Sequence, residues 1–246
     1  MLYICIPAYN EAPTVGLLLW RLRSVLQDFA REYEIVVYND GSTDATAETL
    51  QSYSEVLPLT IIGGKEHRGY PTALDGLVRH VCQPTRYPRR DALLMMQADF
   101  TDRPEDLPEL VRRFEGGADI VVAESEVAPS WPAPVRALRR MAPYLTRPFL
   151  SIPNVKDPFG TLRLYRITVL RDLLKHVPAD APLIRFDGWS ANVELLVRAQ
   201  KFARRIESVT FQPRYELRPR QTRIQPWRGA LALYRSARAL RAGTAS

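Results

Sequence analysis

The first 123 residues alternate between short apolar runs rich in β-branched side chains and longer segments whose apolar residues recur every three or four positions. The short runs predict strands at 2–6, 34–38, 59–62, 92–96 and 119–123, and the longer segments predict amphipathic helices between them. Strand–helix–strand units of this kind build open, parallel sheets. We therefore predict an α/β fold with a mostly parallel central sheet flanked by helices.

The second half of the chain is less regular. Residues 124–156 are rich in proline and arginine, and no element is predicted there. Beyond them, the same patterns predict two strands (162–165 and 206–211) and three helices (168–174, 190–202 and 226–241).

Composition is that of an ordinary globular domain, with 46% apolar and 25% charged residues among 246. No apolar run reaches the roughly 18–20 residues that span a bilayer. The first residues lack a basic region and a small-residue cleavage site, so we expect no signal peptide. Two cysteines exclude a disulfide scaffold at this size. These observations predict a cytoplasmic location, with a peripheral position at the inner membrane face as the alternative.

The net charge of +7 is concentrated at the carboxyl end. No acid follows Glu216, whereas seven arginines do. We predict that residues 216–246 form a basic tail with an amphipathic helix at 226–241, and that this tail attracts phosphates or an anionic membrane surface. The alternative is a solvated helix in an arginine-rich chain. Nucleic acid is not an expected partner, because the tail has only two aromatic residues and no recognition motif.

Three polar clusters fall where predicted strands end, at Pro7–Glu11, Asn39–Asp44 and Gln97–Asp102. Ligands of open parallel sheets bind outside the carboxyl ends of the strands, so these clusters predict a binding crevice. Residues two apart at a strand end point the same way, and Gln97, Asp99 and Thr101 would offer three oxygens to a hard divalent cation. The alternative role for Asp99 is to cap the following helix. No glycine-rich dinucleotide fingerprint and no Walker loop is present.

Four motifs in this order resemble the family 2 inverting glycosyltransferases of the Rossmann-like GT-A fold. They are Pro7–Glu11 (PAYNE), Asn39–Thr46 (NDGSTDAT), Gly69–Gly76 (GYPTALDG) and Gln97–Asp99 (QAD). Two later stretches, 157–166 and 192–199, resemble the dolichol- or polyprenyl-phosphate mannosyltransferase branch. The resemblance covers roughly residues 1–215. We therefore predict one GT-A domain over 1–215, with a nucleotide-sugar half (1–123) and an acceptor half (124–215), followed by the tail.

The resemblance implies a GDP- or UDP-sugar donor, Mg²⁺ or Mn²⁺, inversion at the anomeric carbon and a polyprenyl-phosphate-type acceptor. It implies that Asp40 hydrogen-bonds the nucleobase and that Asp99 binds the metal and the diphosphate. The residues implied for the nucleotide sugar are Pro7, Ala8, Tyr9, Glu11, Asp40, Gln97, Ala98 and Asp99; those for the metal are Asp99, Gln97 and Thr101; and those for phosphate or acceptor are Arg136, Arg163 and Arg214.

A phosphate acceptor is already anionic, whereas a hydroxyl acceptor needs a general base. The candidates are Asp187, which relatives place on the acceptor side, and Asp157. The alternative for Asp187 is an acid favoured at a helix start. Trp189 would either stack on a sugar or pack in the core.

Three positions depart from the family pattern. Asn39 replaces the first acid of the usual D-D-G-S turn, Gln97 replaces the first acid of D-x-D, and Gly160–Arg163 (GTLR) replaces S-G-F-R. An amide oxygen is a weaker metal ligand than a carboxylate, so cation affinity should fall. Two alternatives therefore stay open: a glycosyltransferase for a soluble hydroxyl acceptor, and a catalytically impaired nucleotide-sugar-binding protein.

Overall fold

The computed structural model describes residues 1–27, 29, 31–83, 85–127, 131–211 and 226–244. Its seven strands are β1 (Leu2–Ala8), β2 (Tyr33–Asp40), β3 (Leu59–Gly64), β4 (Ala92–Met95), β5 (Ile120–Ser125), β6 (Arg163–Arg166) and β7 (Ile206–Phe211). Its eight α-helices in these residues are α1 (Ala12–Leu26), α2 (Thr46–Ser54), α3 (Tyr70–Cys82), α4 (Leu107–Glu115), α5 (Ala133–Thr146), α6 (Ile167–Lys175), α7 (Trp189–Ala199) and α8 (Pro226–Thr244).

The strands form one sheet in the order β3-β2-β1-β4-β6-β5-β7. All neighbouring pairs are parallel except those of β6, which runs antiparallel to β4 and to β5. This confirms the predicted mostly parallel α/β sheet. The order reverses beside β1, since β1 pairs with β2 on one side and with β4 on the other. That switch point is where open α/β sheets bind ligands.

Alternate residues of β1 enter two separate cores, one on each face of the sheet. Leu2, Ile4 and Ile6 pack with the apolar sides of α1 and α4, whereas Tyr3 and Cys5 pack with those of α3, α6 and α7. This is the two-residue period of a strand that is covered on both faces. The two cores hold the sheet between two layers of helices. The ends of its strands are therefore fixed relative to one another.

Helix α5 was not predicted from the sequence. Its buried side chains include Val135, Leu138 and Ala142, which share one face of a helix. Pro134 lies in the first turn, where the missing N–H would have no partner in the helix. Pro143 lies in the last turn, and the helix continues only to Thr146. Pro134 is therefore at a low-cost position, whereas Pro143 lies inside the helix and removes the hydrogen bond that the carbonyl four residues earlier would accept.

Helix α8 lies at the position of the helix predicted over 226–241 and packs against α5 and α7. Residues 216–225 of the predicted tail lie outside the described residues. Within the residues described, no helix has both the length and the apolar character that crossing a membrane requires.

Candidate functional site

The first two polar clusters meet at the carboxyl ends of β1 and β2. Asn10, whose φ is 53°, accepts a hydrogen bond from the Thr43 backbone N–H at 2.7 Å through its side-chain oxygen. Its own N–H donates to Ser42 Oγ at 3.0 Å. The Glu11 N–H donates to Thr46 Oγ1 at 2.9 Å. These bonds place the loops after the two strands side by side, as predicted from the strand ends.

Asp40 ends β2 and is buried, with 3% of its surface exposed. Its two carboxylate oxygens accept the backbone N–H groups of Arg68 and Gly69, each at 2.9 Å. The His67 Nδ1 lies 2.7 Å from the same carboxylate. Asp40 therefore holds the loop that leads into α3, and Gly69 of that loop has a φ of 94°, a conformation that favours glycine.

Tyr9 and Asp40 are brought together through His67. The His67 ring stacks on the Tyr9 ring with centroids 3.8 Å apart and an interplanar angle of 17°. Flat rings beside a carboxylate acceptor suit a planar, hydrogen-bonding heterocycle. Sequence reasoning assigned no role to His67. The available signal was its position two residues before the Gly69–Gly76 motif.

The third cluster, after β4, is organised around two carboxylates. Asp99 Oδ1 accepts bonds from the Thr101 N–H at 3.0 Å and from Thr101 Oγ1 at 2.5 Å. Between them, Phe100 has a φ of 63°, a strained conformation for a bulky residue. Asp102 accepts the Gln97 N–H at 2.9 Å and the Thr161 hydroxyl, also at 2.9 Å. Burial raises the pKa of Asp102 to about 7.

Gln97 belongs to a polar chain that joins the two halves of the protein. Its Nε2 donates to Tyr70 Oη at 2.6 Å, and Tyr70 Oη donates to Asn192 Oδ1 at 3.1 Å. Burial raises the pKa of Tyr70, so the phenol stays protonated and can donate. The chain runs from the end of β4 through the start of α3 to the first turns of α7. Tyr70, Asn192, Asp102 and Thr161 were not chosen from the sequence as site residues, although Tyr70, Asn192 and Thr161 lie within the quoted motifs.

The predicted metal ligands are brought together in part. Asp99 and Thr101 are bonded to each other, whereas the Gln97 amide is held by Tyr70. In the described part of the chain, no group of three or more histidine, cysteine or acidic side chains is arranged to hold a metal. One carboxylate with a hydroxyl and an amide oxygen still fits a hard cation such as Mg²⁺, which keeps several waters and binds substrate phosphates.

Asp157, in the predicted acceptor half, is partly buried and forms an ion pair with the buried Arg139. Arg139 Nη1 lies 2.7 Å and 2.9 Å from the two carboxylate oxygens of Asp157. The Arg139 guanidinium also stacks on Trp131 and Trp189, at 5.8 Å and 5.0 Å from the ring centroids. These contacts favour a positioning role for Asp157 over proton abstraction. Of the two roles considered for Trp189, stacking on a sugar or packing in the core, the structure shows packing: the ring lies against Arg139 and the core.

The three arginines predicted to meet phosphate lie in different surroundings. Arg163 is 1% exposed, and its guanidinium donates to the backbone carbonyls of Asn192 and Pro158. The structure thus places it inside the protein, where it joins β6 to α7. Arg136 is half-buried on α5, and Arg214 lies outside the described residues. Phosphate binding by these arginines stays a prediction.

Asp187 is exposed, directly before α7, and accepts the N–H of Gly188 at 2.7 Å. The loop that carries it is held by buried Glu194, whose Oε2 accepts the Arg185 N–H at 2.8 Å and the Phe186 N–H at 3.0 Å. The structure therefore presents Asp187 on a fixed loop at the start of the helix that contains Asn192. Its role as a general base stays a prediction.

The chain spans between a third and a half of the length of the curated relatives that follow. It is 29% identical over 158 residues to a dolichol-phosphate mannosyltransferase from Pyrococcus furiosus, covering 63% of this chain and 42% of that one. It is 31% identical over 118 residues to an undecaprenyl-phosphate 4-deoxy-4-formamido-L-arabinose transferase from Pseudomonas paraeruginosa, covering 48% of this chain and 33% of that one.

Solved structures share the fold at low sequence identity. Glucosyl-3-phosphoglycerate synthase from Mycobacterium tuberculosis, solved with Mn²⁺, UDP and glucosyl-3-phosphoglycerate, aligns with a TM-score of 0.65 at 20% identity, over 99% of this chain and 80% of that one. TarS residues 1–349 from S. aureus, solved with UDP, aligns with a TM-score of 0.59 at 18% identity, over 94% and 69%. The family model described as "Glycosyl transferase family 2" matches residues 3–174. Since this match covers well over half of the sequence, the chain belongs to glycosyl transferase family 2.

Proposed function

We propose that this chain transfers a sugar from a nucleotide-sugar donor to a polyprenyl phosphate, with inversion at the anomeric carbon. The observation that carries the proposal is the position of Asp40 and Asp99, which follow strands on opposite sides of β1 at the switch point of the sheet. A donor bound across this point meets a heterocycle site at one side and a phosphate-facing carboxylate at the other. The names of the curated relatives support the lipid-phosphate acceptor.

On the donor side, the nucleobase packs against Tyr9 and hydrogen-bonds Asp40, with Pro7, Ala8 and Glu11 around the nucleoside. Asp40 now contacts the His67 ring and two backbone N–H groups, those of Arg68 and Gly69. A base N–H that bonds to Asp40 replaces His67, because His67 is the side-chain partner and the other two are backbone groups. The diphosphate lies toward Gln97–Asp99. Mg²⁺ or Mn²⁺ would be held by Asp99 with Thr101 and the Gln97 oxygen, and such a cation neutralises the leaving group.

On the acceptor side, a polyprenyl phosphate attacks through an oxygen that is already anionic. No residue then needs to remove a proton, and the basic side chains of this half have only to bind and orient the phosphate. Arg136 and Arg214 are the candidates, because Arg163 is occupied by backbone carbonyls. Asp157 contributes by fixing Arg139, Trp131 and Trp189.

A soluble hydroxyl acceptor is the second candidate function. The exposed Asp187, on a loop fixed by Glu194, is the observation that favours it, because a hydroxyl needs a base within about 3 Å of its proton. In that reaction Asp187 removes the proton as the new glycosidic bond forms.

The test is a donor and acceptor screen with the purified full chain. UDP- and GDP-sugars are incubated with Mn²⁺ or Mg²⁺ and either a polyprenyl phosphate in detergent or soluble hydroxyl acceptors, and released nucleotide and glycosylated product are both measured. We expect product with a polyprenyl phosphate, and loss of product in Asp99→Asn but not in Asp172→Asn, an exposed carboxylate on α6. Donor binding without transfer to any acceptor would favour the catalytically impaired protein, and product only with hydroxyl acceptors would favour the second function.

A further inference from the structure

Two stretches of the sequence carry basic side chains and no acids, and the fold brings them together. Residues 127–156 contain no acid and five basic residues, and residues 217–246 contain no acid and seven arginines. These two acid-free stretches are far apart in sequence, yet they contain α5 and α8, which pack against each other. Contacts that join them are the Tyr234 ring on Phe149, at 5.4 Å between centroids, and Arg241 Nη1 to the Pro148 carbonyl at 3.1 Å.

The outer sides of these two helices combine exposed apolar side chains with arginines. The large apolar side chains exposed in the described residues number eight, and four of them lie here: Met141 (39%), Tyr144 (79%), Leu231 (48%) and Tyr234 (38%). Exposed arginines alternate with them along each helix, namely Arg140 and Arg147 beside α5 and Arg235, Arg238 and Arg241 on α8. We call these nine residues the α5–α8 face.

The inner sides of the same helices contact other elements of the predicted acceptor half directly. Arg139 of α5 forms the ion pair with Asp157 and stacks on Trp189. Ser236 of α8 donates to Ser190 Oγ, in the first turn of α7, at 2.9 Å. The α5–α8 face is therefore one layer of helix away from the loop that carries Asp187 and from the start of α7.

A second exposed apolar patch shows what this face has that others lack. Leu17 and Trp20 are exposed on α1, but the neighbouring Arg21 lies 3.1 Å from Glu105. That patch therefore has mixed charge. On the α5–α8 face both helices are without acids, so every charge on the face attracts an anionic surface.

We infer that the α5–α8 face docks this protein on an anionic lipid bilayer, with Tyr144 and Leu231 entering the headgroup region and the arginines meeting lipid phosphates. Apolar side chains mixed with arginine on one face are the pattern of helices that lie in the membrane interface. The inference rests on the proposed function, because a polyprenyl phosphate is held in a bilayer. It adds to that function the surface which brings the acceptor half to the lipid.

The inference is tested by sedimentation of the full chain with two kinds of vesicle, phosphatidylcholine alone and phosphatidylcholine mixed with phosphatidylglycerol. We expect binding to the anionic vesicles only, weakened by added salt. Arg235→Glu/Arg238→Glu should bind at least about 25-fold more weakly, because two arginine contacts at about 1 kcal/mol each are lost and the new carboxylates are repelled by the anionic lipid. Tyr144→Ser/Leu231→Ser should lose about tenfold, because both side chains leave the interface.

Matched variants elsewhere on the surface control for charge and for apolar exposure. Arg86→Glu/Arg89→Glu makes the same change in net charge in the exposed loop before β4, and Leu17→Ser/Trp20→Ser removes the α1 patch. Both should bind vesicles as the unchanged protein does, and circular dichroism checks that all four variants are folded. Equal binding to neutral vesicles, or equal losses in the control variants, would overturn the docking face.

Transfer assays separate failure of this inference from failure of the proposed function. With a short-chain, water-soluble polyprenyl phosphate, the face variants should keep the rate of the unchanged protein, and with the acceptor in vesicles they should lose it. Vesicle binding with no transfer to any acceptor would reject the proposed function and leave the docking face intact. Transfer to the short-chain acceptor without vesicle binding would reject the docking face alone.

Discussion

The predicted donor half (1–123) and the predicted acceptor half (124–215) hold their polar residues in different ways. In the donor half, Asp40 and Asp99 lie at or just after strand ends, and they accept hydrogen bonds from a neighbouring loop or from a residue two positions away. In the acceptor half, Arg139 and Arg163 are buried, Asp157 is partly buried, and all three are joined to residues of several elements. The first arrangement presents polar groups at the edge of a sheet, whereas the second uses them to hold loops and helices together.

This comparison teaches that a charged residue in a family motif can serve the fold rather than the reaction. Arg163 matches a motif position, but its guanidinium is enclosed by backbone carbonyls. A buried guanidinium is costly unless its N–H groups are paired. The carbonyls of Asn192 and Pro158 pair the two terminal nitrogens of Arg163, whereas its buried Nε has no partner among the described residues. The four predictions below test this division, from the largest expected effect to the smallest.

The largest effect is expected at Asp99. Asp99→Asn keeps an oxygen for the two bonds from Thr101 but removes the negative charge, so the divalent cation that Asp99 would hold against the diphosphate is bound more weakly. We expect turnover to fall about 10³-fold, the size found for a missing electrostatic contact in a transition state. Initial rates with saturating donor, and donor affinity by calorimetry with Mn²⁺, measure this. A rate within threefold of that of the unchanged protein would remove Asp99 from the proposed site.

The next effect is on folding stability, in the acceptor half. Arg139→Met leaves the Asp157 carboxylate without its ion-pair partner in a site where Arg139 is 5% and Asp157 20% exposed. We expect the free energy of unfolding to drop by about 3 kcal/mol. Urea unfolding of Arg139→Met, Asp157→Asn and the double variant measures the coupling. If the free-energy changes of the two single variants add without coupling, the ion pair does not stabilise this region. Asp157 would then again be a candidate for the general base.

A smaller effect is expected where the halves are joined. Tyr70→Phe removes the hydroxyl that accepts from Gln97 and donates to Asn192, and leaves the buried Asn192 amide and the partly buried Gln97 amide without that partner. We expect a loss of about 1–2 kcal/mol in unfolding free energy. We also expect a weaker response of activity to Mn²⁺, because Gln97 is no longer fixed. Thermal unfolding and a Mn²⁺ titration of activity test this. If Tyr70→Phe alters neither the unfolding free energy nor the response to Mn²⁺, the hydrogen bonds through Tyr70 do not couple the two halves.

The smallest effect is expected at Asp187 if the acceptor is a lipid phosphate. Asp187→Asn removes a carboxylate that an anionic acceptor does not need, so transfer to polyprenyl phosphate should change less than about threefold. The rate with a polyprenyl phosphate and that with hydroxyl acceptors are measured side by side. Collapse of turnover with donor binding intact would instead support hydroxyl chemistry and the second candidate function.

Much of the donor half could be predicted because its signals are local. The predicted strand ends at residues 6, 38 and 96 lie within two residues of the observed ends at Ala8, Asp40 and Met95. They follow from apolar runs that are broken by polar or glycine-containing turns, and the order of elements then places those ends at one edge. Tyr70 was overlooked, since its partners Gln97 and Asn192 are 27 and 122 residues away in sequence. A hydrogen bond over that distance leaves no periodic signal.

The acceptor half shows the opposite limit. Proline content hid α5 because proline is read as a helix breaker. Pro134 is compatible with the first turn of the helix, whereas Pro143 lies inside it, and the packing of this helix against α8 is seen only in the tertiary structure. Arg139 and Asp157 are 18 residues apart in sequence, one in a helix and the other in a loop. Neither spacing nor composition therefore indicated that the Asp157 carboxylate would form an ion pair. The charge of the α5 stretch likewise gained meaning only when α8 was found beside it.

The sequence by itself determined the alternation of strands and helices, the mostly parallel sheet, the family, and the polar clusters that follow the strands. These depend on local periodicity and on short motifs, which are properties of neighbouring residues. The tertiary structure alone decided which charged side chains are exposed and which are enclosed, and which distant helices share a face. Burial and pairing depend on the packing of elements that are remote in the chain. The free energy of a charged side chain depends on that burial and pairing.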